Sequence, residues 1–423
     1  MKLTKNPITK VLAVTMLAFG GYSSGVMAQS TPAVVCPDHE TPSSKVPSQR
    51  VGRKIQDAFE AYSNDLVDEA ISILLDIDTS DEFDRAYTDR FVGNLLAAKE
   101  GEAKRALTYL EGAAKKKLLN DTEHAATLKL VADLNLQEQN YATAVEWYKK
   151  WQDFTCKEDP DVYVRMAQAY YELKQLDKII EPANKAIALY DKPNKNPYVL
   201  KMTSYYERKM YPQTIEVAEE LVRMFPDTPQ WWTQLGFFYM LVEDYKKALS
   251  TFEMALNQGY LKKKSEINAL AQLYATNEIP YKSAVLQVKY LKEGLLERDA
   301  GRLASIANVW HQAKEIRKAA DYYGQAAALS NDADHFRRQG TLLLAAEQYS
   351  QAISALQKAV ELTPEDESGN LYMAIMEAYF YQGKFKDAHK YVQLAKKDKN
   401  TARSARSWEP YIKDKAKNRG INI

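Results

Sequence analysis

The chain has 423 residues, 46% of them hydrophobic, and 57 Lys and Arg stand against 56 Asp and Glu. That balance leaves no basic footprint for nucleic acid. With 16 glycines and an abundance of Ala, Leu, Lys and Glu, little of the sequence reads as strand.

Residues 1–28 read as a targeting segment. Met1–Lys10 carries Lys2, Lys5 and Lys10 and no acid, Val11–Phe19 is apolar but for Thr15, and Val26-Met27-Ala28 supplies small residues for cleavage. The pattern predicts a secretory signal peptide cut after Ala28, of bacterial type, which places the mature protein in the periplasm. The apolar run is short for a bilayer span, although an uncleaved anchor is the rival reading. No cysteine follows the cleavage box directly, and Cys36 is too far downstream to be a lipoprotein cysteine. No later segment reads as membrane-spanning.

Residues 29–50, rich in Pro and Ser, form an expected extended arm holding Cys36. The second cysteine, Cys156, falls in a turn after the third helical hairpin. An even count in an oxidising compartment allows a Cys36–Cys156 disulfide that would pin the arm along the first three repeats. Two free or partly buried thiols are the alternative.

From 51 to 399 a pattern recurs about every 35 residues. Its clearest copy is Trp232, Leu235, Gly236, Tyr239, Tyr245, Ala248, Phe252, Ala255. The first four fall at i, i+3, i+4, i+7 on one helix face, and Ala248, Phe252 and Ala255 mark a second helix. The bend is expected at Val242 to Asp244. Small residues let the two helices approach and large ones fill the groove between them. Further copies run through Tyr163–Ala186, Tyr198–Pro226, Leu303–Ala326, Gly340–Pro364 and Tyr372–Ala395, with looser ones at Ala58–Leu74, Gly93–Ala113, Leu128–Trp151 and Ile267–Tyr290. In the first copy and in Ile267–Tyr290 the small residues drift by one, which predicts altered turns there.

This pattern resembles the tetratricopeptide repeat (TPR). The resemblance implies an all-α, right-handed α-solenoid of about ten TPR-like hairpins, each burying its apolar face on the next. It also implies that the first helix of each hairpin lines a concave partner-binding surface. Carried over position by position, that groove comprises Gln168, Tyr171 and Glu172, then Thr203, Tyr206 and Glu207, then Thr233, Phe237 and Met240. Aromatics at such positions anchor interfaces; the alternative for Phe237 and Met240 is packing against the following repeat. The Lys, Asn and Arg clamp with which some TPR proteins hold a chaperone's C-terminal carboxylate is not assembled. The corresponding positions hold Lys129 with Asp133, Val164 with Gln168 and Ala304 with Asn308.

The tail, 400–423, is basic, and its Trp408, Tyr411 and Ile412 suggest a capping helix; a docking patch for an acidic partner or anionic lipid is the alternative reading. The five histidines show no ligand spacing, and neither a nucleophile motif nor a phosphate loop occurs, so no metal, cofactor or catalytic residue is expected.

A narrower resemblance rests on Asp84–Phe91, Trp147–Trp151, Ala169–Lys174, Ser204–Tyr211 and Phe225-Pro226 with Trp231–Gly236. These stretches are similar to periplasmic TPR proteins that accompany TonB–ExbB–ExbD energy-transducing systems of marine gammaproteobacteria. That resemblance implies a non-catalytic, protein-binding accessory of TonB-dependent uptake, of iron-siderophores or haem, with TonB-complex components or an outer-membrane receptor segment as partners. An envelope-assembly or cell-wall and division adaptor is the second reading, and an enzyme with an unrecognised site the third.

Overall fold

The computed structural model describes residues 35–39 and 45–423. The expected signal peptide lies outside the described residues. Among the described residues there are twenty-one α-helices and no strand. Residues up to Pro226 form one compact unit and Asp227–Ile423 a second.

The first unit holds five hairpins: α1 (Gln49–Ser63) with α2 (Val67–Leu75), α3 (Glu82–Ala97) with α4 (Ala103–Lys116), α5 (Asp121–Gln137) with α6 (Tyr141–Thr155), α7 (Pro160–Glu172) with α8 (Ile180–Leu189), and α9 (Lys195–Glu207) with α10 (Tyr211–Met224). The second holds five more: α11 (Pro229–Leu241) with α12 (Tyr245–Asn257), α13 (Lys264–Thr276) with α14 (Pro280–Lys292), α15 (Ala300–Gln312) with α16 (Ile316–Ser330), α17 (Ala333–Ala345) with α18 (Tyr349–Glu361), and α19 (Gly369–Tyr381) with α20 (Phe385–Ala395). A last helix, α21 (Ala402–Lys417), follows. Within each unit the hairpins stack on their chain neighbours, so the fold is an all-α solenoid of TPR-like hairpins with a capping helix.

The hairpin turns share a backbone feature. One residue of each turn takes a left-handed backbone: Asp65, Gly101, Gln139, Lys174 and Lys209 in the first unit, and Glu243, Glu278, Lys314, Glu347 and Gly383 in the second. In nine of the ten the next residue's N–H then bonds to the carbonyl five positions back, as Asp244 does to Tyr239 at 2.9 Å and Ile279 to Tyr274 at 2.8 Å. This is the Schellman closure of a helix end, and it satisfies carbonyls that would otherwise be orphaned at the bend.

The altered turns expected in the first and seventh hairpins are absent. Asp65 and Glu278 occupy the ordinary left-handed position, and Ala70 and Ser283 fill the close-approach site in register. Ser283 is tolerated there because its hydroxyl donates to the Ala271 carbonyl at 2.7 Å. Besides the second hairpin, whose turn at Gly101 lacks the closing bond, the fourth is irregular: its second helix opens with a 3-10 turn, Leu176–Ile179. The fully buried Ile179 occupies the site where most other hairpins have Ala, and the small Ala167 and Ala183, also fully buried, lie in the same hairpin.

The arm before α1 is irregular where it is described. Cys36 and Cys156 are joined there by a disulfide, Cα to Cα 4.9 Å. Beside it the Cys36 N–H donates to the Phe154 carbonyl at 3.2 Å, and His39 Nε2 lies 2.9 Å from Asp121. Ser48 closes the arm by donating to Asp84 through its N–H at 2.9 Å and its hydroxyl at 2.6 Å.

At the other terminus α21 buries Ala405, Ile412 and Ala416, and Trp408 lays its ring edge on Phe380 at 5.6 Å. Glu409 ties the helix down by accepting from Lys396 at 2.6 Å, Lys413 at 2.9 Å and Gln393 at 2.8 Å. The Lys396 ammonium, then Lys413, holds the Glu409 carboxyl well below the usual carboxylate range. A carboxyl depressed on folding stabilises above its unfolded value of about 4.3 and loses that contribution as pH falls toward the folded value. Glu409→Gln is therefore expected to loosen α21 at neutral pH by about 1 kcal/mol. Hydrogen exchange over 402–417 checks it: the gap between wild type and variant should close in acid, and a gap independent of pH contradicts the account.

Candidate functional site

In the first unit the groove residues sit on the first helices of the fourth and fifth hairpins. Asp159 starts α7 by accepting from the N–H groups of Asp161 and Val162, and Pro160 fits the first turn, where its missing N–H costs nothing. Asn194 starts α9 in the same way. These fixed starts set the register that brings Tyr171 and Tyr206 to matching places one repeat apart.

Tyr171 and Glu207 are in contact, the phenol donating to the carboxylate at 3.3 Å. Lys174 stands 4.4 Å over the Tyr171 ring. Tyr206 packs on Tyr211, ring centres 6.2 Å apart. Burial, and then Glu207, raises the Tyr171 hydroxyl pKa; burial, and then Tyr211, raises that of Tyr206. Both phenols are therefore neutral hydrogen-bonding groups at physiological pH. Glu172 and Glu207 are exposed, Gln168 and Thr203 half-buried. The Thr203 hydroxyl is turned back to the Val199 carbonyl at 2.8 Å.

In the second unit two of the three expected groove residues make contacts within their own hairpin. Thr233 is buried, and its hydroxyl donates to the Gln230 carbonyl at 3.1 Å. Phe237 is half-buried, its ring meeting Phe252 edge-on at 5.2 Å. Met240 is half-buried. Thr233 offers no side-chain surface to a partner, and Phe237 serves the core at least in part, because Gly236 beside it leaves room for Phe252 to enter from the second helix.

Position counting missed a ladder of polar contacts between successive hairpins of the first unit. Arg90 reaches Glu123 at 3.0 Å, Lys129 reaches Asp159 at 2.7 Å, and Arg165 pairs with Asp133, which also accepts from the buried Tyr148 hydroxyl. Burial, and then the Asp133 charge, pushes the Tyr148 pKa far up, so the phenol remains a donor. The partners lie 30 to 33 residues apart, close to one repeat, and that spacing was the available signal. The ladder pairs the Lys129 ammonium with Asp159 and leaves Asp133 as a carboxylate beside it, an arrangement unsuited to a carboxylate ligand.

Among the described residues no group of three or more His, Cys, Asp or Glu is placed to hold a metal ion. No helix there is long and apolar enough to cross a membrane. The site's chemistry is phenols and carboxylates on two adjacent helices, suited to hydrogen bonding and aromatic contact.

In its repeat the chain is similar to TPR proteins of known structure. One is YrrB, described as a TPR protein with an unusual peptide-binding site: 18% identity over 48% of this chain and 99% of that one, TM-score 0.34. A second is a tetratricopeptide repeat protein from Parabacteroides merdae: 12% identity, 70% of this chain and all of that one, TM-score 0.35. A third is a MamA RS-1 variant: 17% identity, 51% of this chain and 97% of that one, TM-score 0.29. No protein-family model matches the chain, and no curated protein does. The fold assignment rests on the helices and turns themselves.

Proposed function

We propose that this chain is a protein-binding scaffold acting through the first-helix face of its fourth and fifth hairpins. The observation that carries the reading is the Tyr171–Glu207 contact, which joins phenols and carboxylates of two hairpins into one surface. Rigid aromatics with two torsions give large contact area at low entropic cost, the property that makes tyrosine an interface anchor. The scaffold recruits or positions its partner and carries no reaction of its own.

The finer reading is a periplasmic accessory of TonB-dependent uptake of iron-siderophores or haem, its partner a TonB-complex component or a receptor segment. It rests on the likeness of Trp147–Trp151, Ser204–Tyr211 and Trp231–Gly236 to TonB-associated TPR proteins, and on the signal-like residues 1–28. Retention of TonB-complex proteins from envelope extracts is the expected result. Tyr171→Ala with Tyr206→Ala should cut it at least tenfold, a loss of about 1.4 kcal/mol or more. Equal retention by the double variant removes the face assignment. Normal siderophore-dependent growth of a deletion strain, with a division or permeability defect, supports the envelope-adaptor reading instead.

A further inference from the structure

Terminal hairpins of a solenoid ordinarily present a polar outer surface, because no further repeat covers them. The first hairpin departs from this. Phe59, Tyr62 and Leu66 are 60%, 44% and 51% exposed. Exposed acids surround them, and from 49 to 81 eight Asp and Glu stand against three Arg and Lys. Lys54 pairs with Asp76 and Lys99 with Asp68, but among the described residues Asp57, Glu60, Asp65 and Glu69 enter no ion pair.

The last helix has the opposite character. From 396 to 423 nine Lys and Arg stand against three acids. Arg403, Arg406, Lys413 and Lys417 fall within a sector of about 80° on α21, at about 100° per residue, and all four are exposed. Of these only Lys413 has an acidic partner among the described residues, Glu409. Apolar surface is exposed in the same region, at Tyr381 and at Tyr411, whose rings both contact Phe380.

We propose that the first hairpin of one copy of this chain docks on the α21 region of another, head to tail. The occupant is argued from charge complementarity. A first hairpin meeting a first hairpin would bring acids together, and α21 meeting α21 would bring bases together. Only the mixed pairing joins opposite charges around two exposed aromatic patches. Such a contact is heterologous, so copies add in series unless the rotation closes a ring. The contact does not involve the Tyr171–Glu207 surface and stands independently of it.

Sedimentation velocity on the full chain tests this. Self-association is expected at roughly 100 µM in low salt and should weaken as screening rises, the Debye length falling from about 30 Å at 0.01 M to about 3 Å at 1 M. Glu60→Lys with Asp65→Lys reverses the acidic side; Arg406→Glu with Lys417→Glu reverses the basic side. All four residues are exposed, so both variants should fold, and matching helical circular dichroism confirms it. Alone, each variant should associate at least tenfold more weakly than wild type, about 1.4 kcal/mol. Mixed in equal amounts, the two should associate again, since each then meets its complement. A monomeric wild type, variants that associate as wild type does, or a mixture that stays monomeric overturns the proposal.

Discussion

Breaking the Cys36–Cys156 bond, by reduction or by Cys36→Ser, is expected to destabilise the first three hairpins by about 3–5 kcal/mol. The two cysteines are 120 residues apart in sequence, so the bond closes a long loop in the unfolded chain and removes much of its entropy. In a solenoid the consequence is directional. Each hairpin touches only its neighbours, and terminal repeats fray first unless something holds them. The bond joins the arm ahead of the first hairpin to the C-terminal end of the third, so the intervening hairpins lose structure together. Local contacts add to it. Phe154 is flanked by the rings of His39 and His124 at 4.9 and 4.7 Å, both edge-on, and burial, then Lys117, lowers the pKa of His124, keeping that ring neutral within the contact. Intact mass before and after reduction registers the bond itself, and an unchanged mass would sink this prediction. Faster hydrogen exchange over 49–155, with 227–423 unaffected, registers its effect. The double variant Cys36→Ser, Cys156→Ser should match the single one; a much milder double would trace the loss to the stranded thiol.

The repeat and its hairpins were legible because close packing restricts side-chain size at fixed intervals. Gly236, Ala248 and Ala255 cannot be large without forcing two helices apart. The turns were less legible. Their left-handed residues include Asp, Gln, Lys and Glu besides Gly, so the Schellman closure is imposed by the hairpin and leaves little compositional trace. Ile179 leaves no trace in the pattern for a related reason: it keeps the five-residue spacing from the left-handed Lys174 and the apolar period, and only its size differs. At the candidate site, Tyr171, Glu172, Tyr206 and Glu207, named from their positions in the repeat, lie on the first helices of the fourth and fifth hairpins. Position counting could not distinguish a position open to solvent from one turned into its own hairpin, as with Thr233 and Phe237. The ion-pair ladder needed the register between hairpins, which a single repeat does not contain.

Gly236→Ala is expected to cost about 2–3 kcal/mol, although it adds a single methyl and raises helix propensity. A Cβ at Gly236 would stand 2.5 Å from Phe252 Cε2 and 2.7 Å from Cδ2. Phe252 is fully buried and braced by the edge of Phe237, so its ring has nowhere to move. In four hairpins two positions, sixteen residues apart, pair a small residue with a large one, whereas the fourth has two small residues there, Ala167 and Ala183, and the tenth two larger ones, Met376 and Val392. Gly236 goes with Phe252, Ala132 with Tyr148, Ala307 with Tyr323, and in the fifth hairpin the sizes reverse to Met202 with Ala218; all eight residues are buried. At Gly236 the two positions share one space, since a Cβ there meets the Phe252 ring, and the fifth hairpin shows that space filled from the first helix instead. Phe252→Ala alone should cost about 3–5 kcal/mol through the cavity it leaves. Combining it with Gly236→Met copies the fifth hairpin's solution into the sixth, and the pair should recover about 2 kcal/mol relative to the sum of the single losses. Denaturant unfolding of the four proteins measures that coupling. Simple additivity would mean that the two positions do not fill a common volume and that the reversed sizes of the fifth hairpin are coincidence.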